Sequence, residues 1–293
     1  MKSIILKGGL GNQLFQLAKF FDLYKKKKNN NLKIDIKTGF LLDFKYKRKL
    51  EIKELKKSKF RNSTFFSYFF AIFLFLEKLF PYLNHLFKIK IINDSKVENK
   101  IQNSWLIIFN GYFQNYKLIN SNLIDIYNLV KSNFIINKES KYKDLIDQID
   151  SCKNSIALCI RFYEESKDPK IHASKNSKFK SPEIFNKVIS NFEKSLEDPT
   201  FFVFVQEENK FTDNLKFNSP FYIISHDAGY RGSWERLTSQ AHCKHHIFNN
   251  STFYYWGAIF SQFLNKRLDI EPQIFVTDNF IFNEIYCPDW NKF

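Results

Sequence analysis

The hydrophobic and polar positions of this chain alternate between short apolar runs and longer helical patterns. Apolar runs of strand length occur at 2–7, 32–36, 101–113, 155–162, 201–205, 222–225 and 246–248. Helical periodicity covers 14–27, 132–150, 181–192 and 234–242, and an aromatic helix is predicted from Tyr254 onward. Strands that alternate with helices are typical of a parallel α/β sheet.

With 293 residues, the chain is long enough for two medium lobes that each bury a core. We expect the boundary near residue 150, which gives lobes at 1–150 and 151–293. In parallel α/β sheets, ligands bind at the carboxyl ends of the strands. The residues that follow predicted strands are Arg161, Gln206, His226 and Ser251.

A glycine loop, residues 8–13, connects the first predicted strand to the first helix. Glycines have no Cβ, so the backbone of such a loop can approach a phosphate or a sugar closely. The loop is not the dinucleotide fingerprint, because Leu14 stands where the third glycine should be, and no P-loop Lys-Ser/Thr pair follows. A tight turn between strand and helix, with no ligand, is the alternative interpretation.

The run 250–253 places two hydroxyls directly ahead of the aromatic helix. Free backbone N–H groups and the positive end of the helix dipole meet at such a position. Ser251 and Thr252 could therefore hold a phosphate, or they could cap the helix.

Arg161 ends an otherwise apolar strand, and its guanidinium fork suits a diphosphate, because it can bind two oxygens. Glu164 and Glu165 follow in the next loop, together with Asp168. A carboxylate there could remove a proton from a hydroxyl nucleophile, or it could form a salt bridge with Arg161. Spacing alone does not choose among these acids.

Histidine and cysteine spacing argues against a metal or a disulfide framework. His242 and His246 have i, i+4 spacing, but no H-E-x-x-H base and no third ligand accompany them. We therefore predict no metal site and a mechanism without a metal cofactor. The four cysteines show no C-x-x-C spacing, and no secretory signal precedes the first strand. We expect reduced thiols and a cytoplasmic protein.

A basic segment and an apolar segment adjoin within a predicted insertion at about 45–92. Residues 45–61 hold nine Lys/Arg against two Glu, and 65–76 is apolar except for Ser67. Twelve residues are too few for a bilayer span, which needs about 20. An interfacial helix, drawn to anionic lipid by the lysines, fits this pattern and predicts peripheral contact with the inner membrane surface. A buried core helix beside a solvated loop is the alternative.

The formal net charge of +15 also raises the hypothesis of a nucleic-acid-binding protein. No recognised nucleic-acid motif accompanies the charge, and the aromatics lie in apolar runs instead of alternating with basic residues. We therefore expect no nucleic-acid partner.

Two motifs together give the most specific signal in the chain. The run GGLGNQLFQ at 8–16 and the run CKHHIFNNSTFYYWGA at 243–258 resemble, in order and separation, the bacterial α-1,2-fucosyltransferases of glycosyltransferase family 11. The strand PTFFVF at 199–204 is also similar to the strand before that family's nucleotide crevice. The resemblance extends over nearly the whole chain.

The resemblance implies two Rossmann-like lobes in a GT-B-like arrangement, with an acceptor-side N-terminal lobe and a C-terminal lobe that binds the nucleotide sugar. The implied reaction is metal-independent, inverting transfer of L-fucose from GDP-fucose to a sugar hydroxyl. The acceptor would be an oligosaccharide, such as a lipid-linked O-antigen or capsule precursor. The implied donor-binding residues are Gly9, Leu10, Gly11, Asn12, Gln13, Arg161, Asn250, Ser251, Thr252 and Phe253.

One loop departs from the family pattern. The family has His-x-Arg-Arg-Gly-Asp, where this chain has CIRFYE at 159–164, so only the first arginine is kept. Glu164 occupies the position of the family's Asp and becomes the leading candidate for the general base, ahead of Glu165. The lost His and Arg leave two alternatives, which are a related transferase with another nucleotide-sugar donor and an inactive relative kept as a binding module.

Overall fold

The structure is a computed structural model that describes residues 1–27, 31–80, 83–94, 104–162, 181–266, 270–280 and 283–293. Contacts divide the chain into two compact units. The N-terminal unit comprises Met1–Ser132 with Glu284–Tyr286, and the C-terminal unit comprises Asn133–Asn283 with Cys287–Phe293. Among the described residues, no helix combines the length and the apolar character needed to cross a membrane.

The N-terminal unit contains a parallel sheet of four strands in the order β2-β1-β4-β3. Its elements are β1 (Lys2–Ile5), α1 (Leu10–Lys27), β2 (Leu32–Asp35), α2 (Thr38–Leu41), α3 (Thr64–Leu79), α4 (Leu83–Leu86), β3 (Ile89–Ile92), β4 (Leu106–Phe109) and α5 (Tyr116–Val130). Short 3-10 helices occur at Lys53–Lys57 and Lys131–Phe134.

One face of this sheet is covered by α3, whose buried side chains Phe70, Phe73 and Leu74 pack on the strands. The strand residues in this cluster are Ile5, Ile89, Ile91, Leu106 and Ile108. Along β3 and β4, alternate residues take part, as expected where one face of a strand meets a helix. Ser63 begins α3 as its N-cap, and its hydroxyl accepts a hydrogen bond from the Phe66 N–H.

The C-terminal unit contains a parallel sheet of six strands in the order β10-β9-β8-β5-β6-β7. Its elements are α6 (Lys141–Ser151), β5 (Asn154–Cys159), α7 (Pro182–Ser195), β6 (Pro199–Phe204), α8 (Lys210–Asp213), β7 (Phe221–Ile224), α9 (Ser233–His242), β8 (His245–Phe248), α10 (Thr252–Asn265), β9 (Ile274–Val276) and β10 (Asn291–Lys292). A short 3-10 helix covers Asn283–Ile285.

The central strands β5 and β6 are almost wholly buried, and α7 packs against them. Its buried residues Phe185, Val188, Ile189 and Phe192 follow the 3-and-4 spacing of one helix face. Pro182 lies in the first turn of α7, where a missing N–H costs nothing because N–H groups there have no partner within the helix. The rigid centre of the sheet therefore fixes where β5 and its neighbours end.

The prediction of an α/β fold with parallel sheets is confirmed. Each unit, taken by itself, is a parallel sheet with helices packed against it, which is consistent with the lobes of a GT-B-like fold. The division between the units falls at Ser132 and Asn133 and not near residue 150, because α6 packs against α9 of the C-terminal unit.

Two further boundaries differ from the prediction. The region 45–92 is not wholly an insertion, because β3 lies within it and pairs with β4. Helix α1 begins at Leu10 and not at Leu14, so most of the predicted glycine loop forms its first turn. The N–H groups of that turn are the ones that lack partners within a helix.

Candidate functional site

The carboxyl ends of β5 and β8 are joined by Arg161 and Asn249. The Arg161 N–H donates to Asn249 Oδ1 at 2.8 Å, and Asn249 Nδ2 donates to the Arg161 carbonyl at 2.9 Å. The backbone N–H of Asn249 also donates to the Cys159 carbonyl at 3.3 Å. Because Asn249 is buried, these bonds fix the backbone of the strand end that carries the half-buried Arg161.

Helix α10 starts beside this junction with no side-chain cap. Ser251 is the N-cap residue and has an extended backbone, but within the described part of the chain its side chain makes no capping hydrogen bond. Ser251, Thr252 and Phe253 are all partly exposed. The hydroxyls and the first N–H groups of α10 therefore lie at a surface where they can meet an anion.

Asn250 contributes to the shape of this loop. Its Nδ2 donates to the Asn279 carbonyl at 3.0 Å, which fastens the segment after β8 to the segment after β9. Part of the hydrogen-bonding capacity of Asn250 is thus used inside the protein. This contact positions the hydroxyls of the next two residues.

Tyr254 supports the same corner from inside the unit. Its hydroxyl lies 3.3 Å from the carbonyl oxygens of Ile160 and Phe204, to either of which it can donate. Burial raises the pKa of Tyr254 to about 12, so the hydroxyl stays protonated and remains a donor at neutral pH. The start of α10 is therefore tied to the ends of β5 and β6.

Arg236 is a buried cation that the sequence did not mark as functional. Nη1 donates to the Tyr230 carbonyl at 2.8 Å, and Nη2 donates to the Val205 carbonyl at 2.9 Å. It therefore holds the segments that follow β6 and β7. The only signal in the sequence was a basic residue within the otherwise weakly charged helix pattern at 234–242.

Two positions of the run 159–164 that depart from the family 11 pattern, Cys159 and Phe162, face the core. Phe162 is buried and packs edge-on against Phe211, with ring centroids 5.4 Å apart. Cys159 is fully buried, and burial raises the pKa of its thiol. Glu164 and Glu165, the predicted general-base candidates, lie outside the described residues.

The N-terminal unit has a cavity of about 480 Å³ near the carboxyl ends of its strands. The polar side chains that line it are those of Lys7, Asn12, Thr38, Asp43, Tyr46, Arg48, Glu77, Lys78, Asn84, Asn93, Asn110 and Tyr112. Lys7 Nζ donates to the carbonyl and to Oδ1 of Asn110 at 2.8 and 2.9 Å, and lies 5.0 Å from the Tyr112 ring centroid. Burial lowers the pKa of Lys7. Amide, cationic and aromatic groups of this kind are suited to hydroxyl-rich ligands.

The predicted glycine-loop ligands have different surroundings. Asn12 lines the cavity, whereas Leu10 and Gly11 are buried in the first turn of α1. A Cβ on Gly9 would lie 2.6 Å from Arg48 Nη1, so the guanidinium packs directly over this glycine. Gly8 has a φ of 77°, a conformation that favours glycine.

Gln13 acts as an internal brace. Its Nε2 donates to the carbonyls of Gly8 and Lys49 at 2.9 and 3.0 Å, and its Oε1 accepts from the Glu51 N–H at 3.0 Å. Since the side chain is fully buried, these bonds hold the glycine loop against residues 49–51. The role of Gln13 in this structure is to position the loop.

The histidines near β8 are structural. His245 Nδ1 accepts from the Gln273 N–H at 3.0 Å, and burial lowers the pKa of His245 to about 4 and that of His246 to about 3. His242 Nδ1 instead pairs with Asp150 Oδ1 at 2.9 Å. Within the ranges that the structure describes, no cluster of three His, Cys, Asp or Glu residues could hold a metal ion. All four cysteines are free.

No family model matches the chain. The chain is 27% identical, over 290 residues, to the O-antigen biosynthesis glycosyltransferase WbnK of Escherichia coli. The match covers 89% of this chain and 90% of WbnK. This relative matches along both units.

Solved structures with a similar arrangement of elements include two fucosyltransferases. A mutant of Arabidopsis thaliana FUT1 in complex with GDP is 14% identical, with a TM-score of 0.48, and the match covers 97% of this chain and 71% of that one. Fucosyltransferase NodZ from Bradyrhizobium is 13% identical, with a TM-score of 0.40, and the match covers 88% and 91%.

Proposed function

We propose that this protein is an inverting, metal-independent glycosyltransferase that transfers L-fucose from GDP-fucose to a galactoside hydroxyl, forming an α-1,2 linkage. The acceptor is a surface-glycan precursor of the O-antigen or capsule type. The motifs at 8–16 and 243–258 support the reaction, and the relationship to WbnK supports the pathway. The proposal includes a cytoplasmic site of action with peripheral contact at the inner membrane surface.

The observation that carries the proposal is the junction of Arg161 and Asn249 beside the uncapped start of α10. An arginine whose backbone is fixed by Asn249, two small hydroxyls and the N–H groups of the first turn of α10 all favour an anion with several oxygens. The diphosphate of a nucleotide sugar fits this chemistry. In the proposed complex, Arg161 binds the diphosphate, and residues 250–253 complete its pocket.

The same groups supply the electrostatic part of catalysis. As the bond between the fucose C1 and the diphosphate oxygen breaks, negative charge grows on the departing GDP. Preorganised donors and the Arg161 guanidinium stabilise that charge. The acceptor hydroxyl attacks C1 from the opposite side, and its proton passes to Glu164, with Glu165 as the alternative base.

The acceptor is assigned to the cavity of the N-terminal unit. Its lining combines Asn84 and Asn110 with the ring of Tyr112 and the cations of Lys7 and Arg48, whereas Asn12, which also lines it, is kept as a proposed donor contact. Side-chain amides bind sugar hydroxyls as both donors and acceptors, and a tyrosine ring offers a flat apolar surface to a sugar. Of the glycine loop, Gly8 and Asn12 line this cavity.

A donor-binding panel tests the proposal directly. GDP-fucose, other GDP-sugars and UDP-sugars are titrated into the protein in a calorimeter, and GDP release is measured in EDTA with galactoside acceptors. The proposal expects GDP-fucose to bind at least tenfold, or about 1.4 kcal/mol, more tightly than the other donors. It also expects GDP release to continue in EDTA. No binding of any nucleotide sugar, together with strongly salt-dependent binding of DNA or RNA, would instead support the nucleic-acid hypothesis.

A related transferase with a different donor is the second candidate. The specific observation in its favour is that Phe162 and Cys159 both face the core, so neither can contact a donor in place of an arginine or a histidine. With fewer side chains in contact with the donor, the site is less specific for GDP-fucose and can accept another nucleotide sugar. Tighter binding of another nucleotide sugar in the same panel would select this candidate.

A further inference from the structure

Helix α3 carries apolar side chains on its outer face as well as on its inner face. Phe65, Tyr68, Ile72, Phe75 and Leu79 recur at the spacing of one helix face, and all are exposed. Ile72 is 62% exposed and Leu79 is 59% exposed. A surface helix normally presents polar residues outward, so this face is not explained by the folding of the unit.

The apolar surface continues past the end of α3. Phe80, Leu86, Phe87 and Trp105 are each at least half exposed. The Phe87 ring contacts that of Phe73 on α3 at 6.3 Å, and Trp105 Nε1 donates to the Phe87 carbonyl at 2.7 Å. Phe73 lies on the inner face of α3, so these contacts hold Phe87 and Trp105 beside the helix. The four residues and the outer side chains of α3 are together called the α3 face. Tryptophan and phenylalanine of this kind are suited to a boundary between water and lipid.

Cations border the α3 face. Lys37 Nζ donates to Thr64 Oγ1 at 3.3 Å and lies 5.9 Å from the Tyr68 ring centroid, while Lys78 and Lys88 are exposed at the other end. Between residues 37 and 92 there are thirteen Lys/Arg and four Asp/Glu. An apolar surface with a basic border is complementary to an anionic bilayer.

We propose that the α3 face docks the protein on an anionic membrane surface. The positive charge around the α3 face favours a membrane over a second copy of the chain. Two copies would bring two basic borders together and repel each other, whereas anionic headgroups would be attracted. The outer side chains of α3 then enter the headgroup region, and the bordering lysines contact phosphates.

The α3 face adjoins the cavity of the N-terminal unit through the same helix. Leu74, Glu77 and Lys78 line the cavity, whereas Phe75 and Leu79 belong to the α3 face. Docking would therefore bring the cavity to the membrane surface, where the glycan of a lipid-linked acceptor is held. This inference rests on the proposed function, whose membrane contact it assigns to the α3 face, but vesicle binding is measured without donor or acceptor.

Vesicle sedimentation of the 293-residue chain tests the docking without donor or acceptor. The vesicles contain equimolar phosphatidylethanolamine and phosphatidylglycerol, with phosphatidylcholine vesicles as the neutral comparison. We expect binding to the anionic vesicles, at least tenfold weaker binding to the neutral ones, and weakening by salt. The variant Ile72→Glu/Leu79→Glu should bind the anionic vesicles at least tenfold more weakly than the native protein.

The matched control is Ile124→Glu/Ile135→Glu, which makes the same charge change at two exposed apolar residues outside the α3 face. It should bind the vesicles like the native protein, and circular dichroism should show that both variants are folded. Failure of the native protein to bind anionic vesicles would overturn the proposal. Equal binding by the Ile72→Glu/Leu79→Glu variant would also overturn it, as would a dimer in solution that this variant abolishes. Donor binding, measured separately, would be unaffected by any of these outcomes.

Discussion

Arg161 and Asn249 exchange two hydrogen bonds, from the backbone N–H of Arg161 to Asn249 Oδ1 and from Asn249 Nδ2 to the Arg161 carbonyl. This exchange joins the ends of β5 and β8, and places Arg161 next to the loop that starts α10. Asn249 thus acts on the proposed donor site through Arg161 and is a positioning residue.

Asn249→Ala should weaken donor binding at least tenfold, or about 1.4 kcal/mol, because the backbone of Arg161 is no longer fixed. Calorimetry with the preferred donor measures this. Asn186 gives a matched control, since its Nδ2 donates to the Asn214 carbonyl and its Oδ1 accepts from the Lys216 N–H. Both variants should lose stability, but Asn186→Ala should keep native donor affinity. Equal donor affinities in the two variants would rule out the positioning role.

Arg161→Ala should lower kcat/KM by two to three orders of magnitude, because the charge that stabilises the departing diphosphate is removed. The comparison is Arg231→Ala, which removes an exposed arginine of the same unit. Steady-state rates per folded molecule, with thermal unfolding measured alongside, separate catalysis from stability. If Arg161→Ala unfolds more easily but keeps native rates per folded molecule, Arg161 has only a structural role.

Ser251→Ala should change stability little, because the Ser251 hydroxyl makes no capping hydrogen bond among the described residues. It should weaken donor binding, because this hydroxyl is proposed to contact the diphosphate of the donor. Ser140 is the contrasting case, since its side chain accepts from the Tyr142 N–H at the start of α6. Ser140→Ala should cost about 1 kcal/mol of unfolding free energy and leave donor binding unchanged. Urea unfolding and donor titration on both variants provide the check. A loss of stability in Ser251→Ala equal to that in Ser140→Ala would indicate a capping role.

Much of the C-terminal sheet could be predicted from the sequence, because β5 and β6 are buried on both faces and each contains a continuous apolar run. Strands β9 and β10 were not predicted, since runs of three and two residues carry too little pattern. Helix α5 was also missed, although its buried residues recur at helical spacing.

The candidate site was predictable in part. Arg161 and Ser251 could be found because each follows an apolar strand, a position that topology places at the ligand-binding edge. The sequence could not show that Asn249, and not Asn250, bonds to Arg161, because this depends on which of the two side chains points toward the end of β5. The function of Gln13 likewise depends on residues 49–51, which are distant in the sequence.

Gly8→Ala should destabilise the protein by about 1 to 2 kcal/mol, because Gly8 has a φ of 77° and a Cβ would lie 2.9 Å from Asn12 Nδ2. Gly9→Ala is the paired test. At Gly9 a Cβ would meet Arg48 Nη1, the far end of a flexible side chain that can move. Gly9→Ala should therefore be the milder change in urea unfolding. The reverse order of stabilities would contradict the assignment of strain to Gly8.

Stability should fall as the pH is lowered from about 6.5 to about 4, because His245 and His246 are held neutral by burial. In the unfolded chain both histidines take up protons near pH 6.5, whereas in the folded protein their pKa values are about 4 and about 3. The unfolded state therefore binds more protons in this range, and the free energy of unfolding rises with pH. For His246 alone, the loss between pH 6.5 and pH 5 is about 2 kcal/mol at 1.4 kcal/mol per pKa unit.

Urea unfolding at several pH values measures this dependence, and His246→Gln removes one of the two titrating groups. The variant should be less stable at neutral pH but should show a shallower decline toward pH 5. His85→Gln removes an exposed histidine that lies outside the buried pair and should retain the native pH dependence. If His246→Gln declines as steeply as the native protein, the acid sensitivity arises at other groups and His246 is not its source.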